Sequence, residues 1–194
     1  MIVRNIYIYA GVGFLLWLII KGSPFLSDDR ATPEYTDLIL KAKKNYPFIS
    51  MVPSGLVQAI ITHESGGDPT SIGQIGTTRE VGLMQITPPN WPWLVKKFNL
   101  GFYDESIDWF DPYKNIIVGM HLLAHYYKLI TGYSWHDAIV AYNAGSGNWL
   151  SGRIQESTRV YYDRVNRTWS THSDYILGAP VFGGVRQQNM PSLF

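Results

Sequence analysis

The sequence contains no cysteine among its 194 residues. This absence excludes disulfide bonds, thiol catalysis, cysteine-based zinc sites and lipid attachment to an N-terminal cysteine. Charge is also sparse and balanced, because 16 Lys and Arg stand against 15 Asp and Glu and the formal net charge is +1. A nucleic-acid-binding surface needs a basic excess, so we do not expect that class of function.

Aromatic and apolar side chains are abundant instead. Hydrophobic residues make up 46% of the chain, which includes 7 Trp and 13 Tyr. A chain of this length can bury one core of ordinary size. Many aromatic and few charged side chains fit a protein that stacks on sugar rings, and they fit a well-filled core equally. No phosphate loop, Ser/His/Asp arrangement or basic stripe is present, so we expect no cofactor.

The first hydrophobic run, residues 6–20, carries no charge and is flanked by Arg4 and Lys21. It is short for a spanning helix, which needs about 20 residues, but the two flanking side chains can snorkel to the interface. The rival interpretation is a secretory signal peptide, whose apolar region has this length. No A-x-A-like cleavage site follows, so we expect an uncleaved membrane anchor over residues 1–21 and a polar linker over residues 22–31.

Helix start and stop signals predict a mainly α fold after the linker. The predicted helices run from Thr32-Pro33 to about Asn45, from Pro53 to Glu64, from Asp111-Pro112 to Gly132, from Ser134 to Gly145, and from Glu156 to Trp169. Residues at helical spacing that we expect to be buried are Ile116, Met120, Leu123 and Tyr127 in the third helix and Val160, Tyr161 and Val165 in the last. Residues 66–86 sustain no helical period and predict a loop with one or two short strands.

Glu64 is the most informative single residue. It follows Ile60 and Ile61 at helical spacing, so it lies on the side of the helix that faces the core. It is also in the last turn before Gly66, where the helix dipole disfavours negative charge. Both effects raise the pKa of a carboxyl group and favour its protonated form, which general acid catalysis requires. The alternative is a glutamate that reaches from the helix end into water.

Several segments, in this order, resemble the lytic transglycosylase family. The segments are Glu64-Ser65, Gly82-Leu83-Met84-Gln85-Ile86-x-Pro88, Asp111-Pro112 with Asn115-Ile116 and Gly119, Ala141-Tyr142-Asn143-Ala144-Gly145, and Thr158-Arg159-x-Tyr161 with Val165. They cover about residues 34–167. The family comprises lysozyme-like enzymes that cut bacterial peptidoglycan. The resemblance implies an α-rich, α+β lysozyme-like catalytic domain with a substrate cleft, which we place at residues 32–170.

The resemblance also implies roles for residues. Glu64 would protonate the glycosidic oxygen between N-acetylmuramic acid and N-acetylglucosamine, and then take the proton of the muramoyl 6-hydroxyl to close a 1,6-anhydro ring. The further site candidates are Ser65 and Gln85, which would orient Glu64 and the substrate; Met84, which would line the cleft; and Asn143 and Tyr161, which would contact sugar and the carboxylate. Tyr142 is also a candidate, although its apolar neighbours favour a place in the core.

Two departures from the family pattern leave alternatives open. The interval from Glu64 to Gly82 is a few residues longer than expected, and Glu80 stands in it where a small residue is more usual. Gly67 stands where the family commonly has an aromatic residue after the Glu-Ser pair. An inverting hydrolase needs a second carboxylate about 6.5–9.5 Å from the acid. Glu80 is the candidate for that role, so a hydrolytic muramidase is the first alternative. A non-catalytic peptidoglycan-binding component of a membrane-crossing assembly and a membrane-active carrier are the others.

The expected partners are glycan strands of peptidoglycan, a membrane through residues 6–20, and neighbouring proteins through a Gly/Pro-punctuated tail at residues 171–194. The catalytic domain would then face the cell wall, in a secretion or conjugation apparatus or a phage particle. His121 and His125 have the spacing of a zinc pair but lack the adjacent Glu of a metalloprotease helix. We expect no metal there, with one histidine buried and hydrogen-bonded and the other solvated.

Overall fold

The computed structural model describes residues 35–75, 78–102 and 108–174. The predicted anchor and linker, and the tail from residue 175 onward, lie outside the described residues. Within these ranges no helix is both long and apolar enough to cross a membrane.

The described chain is mainly helical with one small sheet, as the sequence predicted. Its α-helices are α1 (Thr36–Asn45), α2 (Ser54–Ser65), α3 (Asn90–Phe98), α4 (Pro112–His125), α5 (Trp135–Ala144), α6 (Ser146–Leu150) and α7 (Glu156–Trp169). A 3₁₀ turn at Pro47–Ile49 follows α1, and a π-helical turn at Tyr126–Ile130 continues α4. The strands β1 (Ile72–Ile75) and β2 (Thr78–Val81) form an antiparallel hairpin in which Ile72 pairs with Val81.

Helix α4 is the centre of the core. All of its residues from 115 to 125 are buried, as expected for a helix that is apolar on every side. Helices α1, α3 and α5 pack against α4. Helix α2 packs against α7. The last turn of α2 is therefore held beside α7, although the two helices are separated by about half of the chain.

Most predicted helix ends are confirmed. The side chain of Asp111 accepts a hydrogen bond from the Lys114 amide at 2.8 Å, and that of Ser134 accepts from the Asp137 amide at 3.2 Å. These contacts satisfy amides that the helix itself leaves free. The first helix begins at Thr36, later than the predicted start at Pro33.

Three features differ from the prediction. Helix α3 was not predicted; it is only nine residues long, and a proline lies in its first turn, where proline is in fact tolerated. Tyr127 is only half-buried, since the π-helical turn rotates the buried face onto Tyr126. Val160 is 37% exposed, whereas Tyr161 and Tyr162 are both buried. The buried face of α7 is wide enough to include two adjacent residues. The spacing of apolar residues within a single helix does not show how wide its buried face is.

The histidine pair of α4 is buried at both positions, so the expectation that one would be solvated is wrong. Nδ1 of His121 lies 2.7 Å from the carbonyl oxygen of Ile117, and the ring packs among aromatic side chains. His125 is only 8% exposed. Burial lowers the pKa of each imidazole to about 4, so both are neutral near pH 7. The described residues contain no cluster of side chains that could hold a metal ion.

Candidate active site

Glu64 and Tyr161 form the centre of the candidate site. Gly66 ends α2 in the left-handed conformation, at φ +64°, and Glu64 lies in the turn before it. The Tyr161 hydroxyl of α7 donates a hydrogen bond to Oε1 of Glu64 at 2.5 Å. The packing of α2 on α7 brings these two side chains together across 97 positions of sequence.

The surroundings of Glu64 favour its protonated form. Burial is the largest cause, the charge of Glu80 adds to it, and the hydrogen bond from Tyr161 opposes both. Together they raise the pKa of Glu64 to about 8. The side chain keeps a partly exposed surface. Glu64 is therefore an acid that holds its proton at neutral pH and can still be reached from outside.

Asn115 holds the neighbouring loop in place. It is fully buried in α4, and its Oδ1 accepts from the Met84 amide at 2.8 Å. Its Nδ2 donates to the carbonyl oxygens of Val81, at 3.0 Å, and Trp109, at 2.9 Å. A Cβ atom at Gly82 would lie 2.2 Å from Nδ2, so only glycine fits this approach. Asn115 was predicted only as part of a motif, without a role, although a lone amide in an apolar helix is a signal of such a function.

Ser65 and Met84 connect α2, the loop and α4 behind the site. The Ser65 hydroxyl donates to the carbonyl oxygen of Leu83 at 2.9 Å, so it fixes the loop to the end of α2. The Met84 side chain is fully buried, and a Cβ atom at Gly119 would lie 2.4 Å from its sulfur. The side chain fills the space that Gly119 leaves on α4, and the role of Met84 at the cleft stays a prediction.

Gln85 has a supporting place as well. Its backbone adopts a positive φ of 47°, and its side-chain amide donates to the carbonyl oxygens of Gly82, at 2.8 Å, and Ser71, at 3.1 Å. These bonds explain how a non-glycine residue is held in a conformation that costs free energy. The side-chain amide of Gln85 thus holds the loop in its shape. Gln85 also lines the adjacent cavity.

A cavity of about 230 Å³ opens beside this loop. The polar side chains that line it are those of Glu80, Gln85, Thr87, Asn90, Tyr142 and Asn143. Tyr142 packs against the core, as its apolar neighbours predicted, and it also lines this cavity, where its hydroxyl donates to the Met84 carbonyl oxygen at 2.6 Å. The cavity therefore combines aromatic surface with amide, hydroxyl and carboxyl groups, as a carbohydrate site requires.

Glu80 faces the same cavity from the hairpin. It lies on β2 opposite Gly73, and burial raises its pKa to about 7. Its charge also raises the pKa of Glu64 and contributes to the high pKa of Tyr142 and Tyr161. The residues that lengthen the interval before Gly82 thus form a hairpin that presents a second carboxyl group to the site.

Comparison with known proteins gives concordant results. A model of the transglycosylase SLT domain matches residues 38–162. Soluble lytic murein transglycosylase from Escherichia coli strain K12 is 32% identical over 133 residues, which are 66% of this chain and 19% of that protein. The chain thus spans about a fifth of the length of this curated relative.

Two solved structures share the fold. The crystal structure of the 70-kDa soluble lytic transglycosylase from Escherichia coli has 28% identity and a TM-score of 0.60, over 72% of this chain and 24% of that chain. An inactive glutamate-to-glutamine variant of the lytic transglycosylase Slt from Pseudomonas aeruginosa has 20% identity and a TM-score of 0.62, over 82% of this chain and 28% of that chain. At this lower identity the second structure supports the fold alone.

Proposed function

Because the chain belongs to the family of transglycosylase SLT domains, we propose that it is a peptidoglycan lytic transglycosylase in which Glu64 is the acid and then the base. The observation that carries the proposal is a carboxyl group with a pKa of about 8, held by Tyr161 and partly open to solvent. The substrate would be the β-1,4 bond between N-acetylmuramic acid and N-acetylglucosamine.

The reaction needs one group that gives and then takes a proton. Glu64 transfers its proton to the glycosidic oxygen as the bond from that oxygen to C1 of the muramoyl ring breaks, with assistance from the acetamido group of the substrate. The Glu64 carboxylate then removes the proton of the muramoyl 6-hydroxyl, whose oxygen bonds to C1. Glu64 is protonated again, no water is consumed, and the product carries a 1,6-anhydro ring.

The hydrogen bond from Tyr161 suits both steps. It occupies Oε1 and leaves Oε2 to carry the proton that is transferred. Burial and the Glu64 charge raise the pKa of Tyr161 well above 10, so the phenol remains a donor throughout. The same bond stabilises the carboxylate formed after the first transfer. Because the pKa of Glu64 is about 8, both the protonated acid and the ionised base are accessible near neutral pH.

Tyr161→Phe should lower turnover about tenfold or more, since it removes a charge-assisted hydrogen bond and little volume. The bond lowers the pKa of Glu64, so its loss should also move the alkaline limb of the pH–rate profile to higher pH. Tyr162→Phe, at a buried tyrosine on the same helix, is the control and should leave that profile unchanged. A lower melting temperature with unchanged turnover would make Tyr161 a core residue only.

A hydrolytic muramidase is the second candidate, because Glu80 lines the cavity and its charge acts on the carboxyl group of Glu64. The two reactions are separated by digesting peptidoglycan with the full chain and with Glu80→Gln and weighing the products. Transglycosylation predicts anhydromuropeptides from both proteins, with the alkaline limb of the variant at lower pH because a charge that raises the pKa of Glu64 is gone. Reducing-end products that disappear in Glu80→Gln would establish hydrolysis with Glu80 as the base.

Residues 1–21 would tether this domain to a membrane, with residues 22–31 as a linker and the catalytic domain on the side of the cell wall. The uncharged run at residues 6–20 supports this arrangement, which serves local opening of the wall by a secretion or conjugation apparatus or by a phage. The full chain should remain in membranes after a carbonate wash. Its release into the wash would argue against a spanning anchor.

A further inference from the structure

Helices α3 and α4 each contribute a residue to the cavity and extend beyond it. Asn90 on α3 and Leu122 on α4 both line the cavity. Trp93 and His125 lie three residues further along the same two helices, and therefore on the same faces. Their rings meet edge to face, with centroids 5.2 Å apart and an interplanar angle of 72°. The two helices thus lead directly from the cavity to Trp93.

A series of aromatic ring contacts connects the cavity with Trp93. Tyr126, which also lines the cavity, has its ring centroid 5.9 Å from that of His125, and His125 in turn contacts Trp93. His125 is buried and neutral, so it supports the indole without placing a charge under it. The rings of Tyr126, His125 and Trp93 therefore contact one another in that order, and the exposed member of the series is Trp93.

Trp93 is exposed to an extent that the core does not explain. Its side chain is 42% exposed, whereas Trp91, two residues earlier on the same helix, is fully buried. An exposed indole beside a cavity offers apolar surface that a bound ligand can remove from water. The ammonium group of Lys97 lies 4.8 Å from the indole centroid, and Lys97 is itself exposed. An exposed cation–π contact is weak, so Lys97 covers the ring in a way that a ligand can displace.

We propose that Trp93 is an additional glycan-binding subsite, in which the indole stacks against the face of an N-acetylamino sugar on a strand that extends beyond the cavity. This inference rests on the proposed function. The C–H groups on one face of a sugar ring form an apolar surface that an exposed indole can remove from water. Lys97, once displaced from the ring, pairs with a carboxylate of the peptide stem that a muramoyl residue carries.

The subsite would act on binding rather than on the chemical step. Trp93 does not contact the Glu64–Tyr161 pair, so its contribution is equal in the ground state and the transition state. Such a contribution changes KM and leaves kcat unchanged. It favours long, stem-bearing glycan strands over short fragments.

The test measures binding in the full chain that carries Glu64→Gln, so that no turnover is needed. Isothermal titration with purified peptidoglycan glycan strands should show affinity lowered about tenfold by Trp93→Ala, an effect of about 1.4 kcal/mol. Trp93→Phe should restore most of it, because a stacking ring is kept. Tyr133→Ala is the matched control, since Tyr133 is 66% exposed and packs on Tyr127, at the opposite end of α5 from the cavity residue Asn143.

Lys97→Ala should weaken binding of strands that carry peptide stems, and should have no effect on strands from which an amidase has removed the stems. Unchanged affinity in Trp93→Ala, or failure of the parent to bind glycan, would overturn the subsite. The proposed reaction is judged separately by its products. Binding that depends on Trp93 in a protein whose wild type releases reducing-end products would retain the subsite and reject transglycosylation.

Discussion

Glu64→Gln should abolish nearly all cleavage of peptidoglycan while leaving the fold intact. The amide keeps the size of the side chain and cannot give a proton to the glycosidic oxygen. A positioned acid or base contributes about 10²–10⁴-fold to the rate, so we expect a loss in that range. The measurement is the initial rate of muropeptide release from purified sacculi. Glu156→Gln, at an exposed residue of α7, is the control and should retain full activity.

The same variant should be more stable than the wild type, increasingly so at higher pH. The pKa of Glu64 is raised from 4.5 to about 8 by folding, so the folded protein holds this proton more tightly than the unfolded chain. Wild-type stability is therefore lost as pH rises from about 4.5 towards 8, and glutamine removes this loss. The difference in melting temperature should be larger at pH 8 than at pH 5. Activity above about a tenth of the wild type would show that another residue is the acid.

Asn115→Ala should destabilise the protein by about 4 kcal/mol. It leaves the Met84 amide and the Trp109 carbonyl without this partner, and each unsatisfied buried group costs about 1–3 kcal/mol. The Val81 carbonyl loses one of two donors and keeps the Ile86 amide at 3.1 Å. The free energy of unfolding in urea measures the change. Asn45→Ala is the control, because the hydrogen bond of Asn45 to Tyr113 is exposed and its loss should cost about 0.5 kcal/mol or less.

A loss under about 1 kcal/mol in Asn115→Ala would mean that water or a shifted loop replaces the amide. The loop would then not depend on α4 for its shape, and the account of how the Gly82–Ile86 segment is positioned would have to be abandoned. Residual activity measured on the folded fraction separates the two effects. A correctly shaped loop with normal turnover would confine Asn115 to stability.

The helix ends and the place of Glu64 could be predicted because they depend on local chemistry. Pro53 precedes α2, Asp111 and Ser134 bond to the amides of their own helices, and Gly66 supplies a left-handed residue. The raised pKa of Glu64 could also be predicted from its position on the side of α2 that faces the core, because burial is the largest cause of the shift. These features involve residues within a few positions of one another.

Features that depend on distant packing could not be derived in that way. The place of the Met84 side chain is one of them, because the space for the methionine is created by Gly119 on another helix. The contact of Tyr161 with Glu64 was expected only from the family resemblance, since it joins α7 to α2. Asn115 was noticed as part of a motif, but its three hydrogen bonds reach segments up to 34 residues away.

The origin of the oxygen in the product tests the central claim most directly. Transglycosylation by Glu64 uses the 6-hydroxyl of the muramoyl residue, whereas hydrolysis uses water. Peptidoglycan digested by the full chain in water labelled with oxygen-18 should therefore yield anhydromuropeptides that contain no label, and Glu64→Gln should yield almost none of them. Reducing-end muropeptides that carry the label would contradict the account.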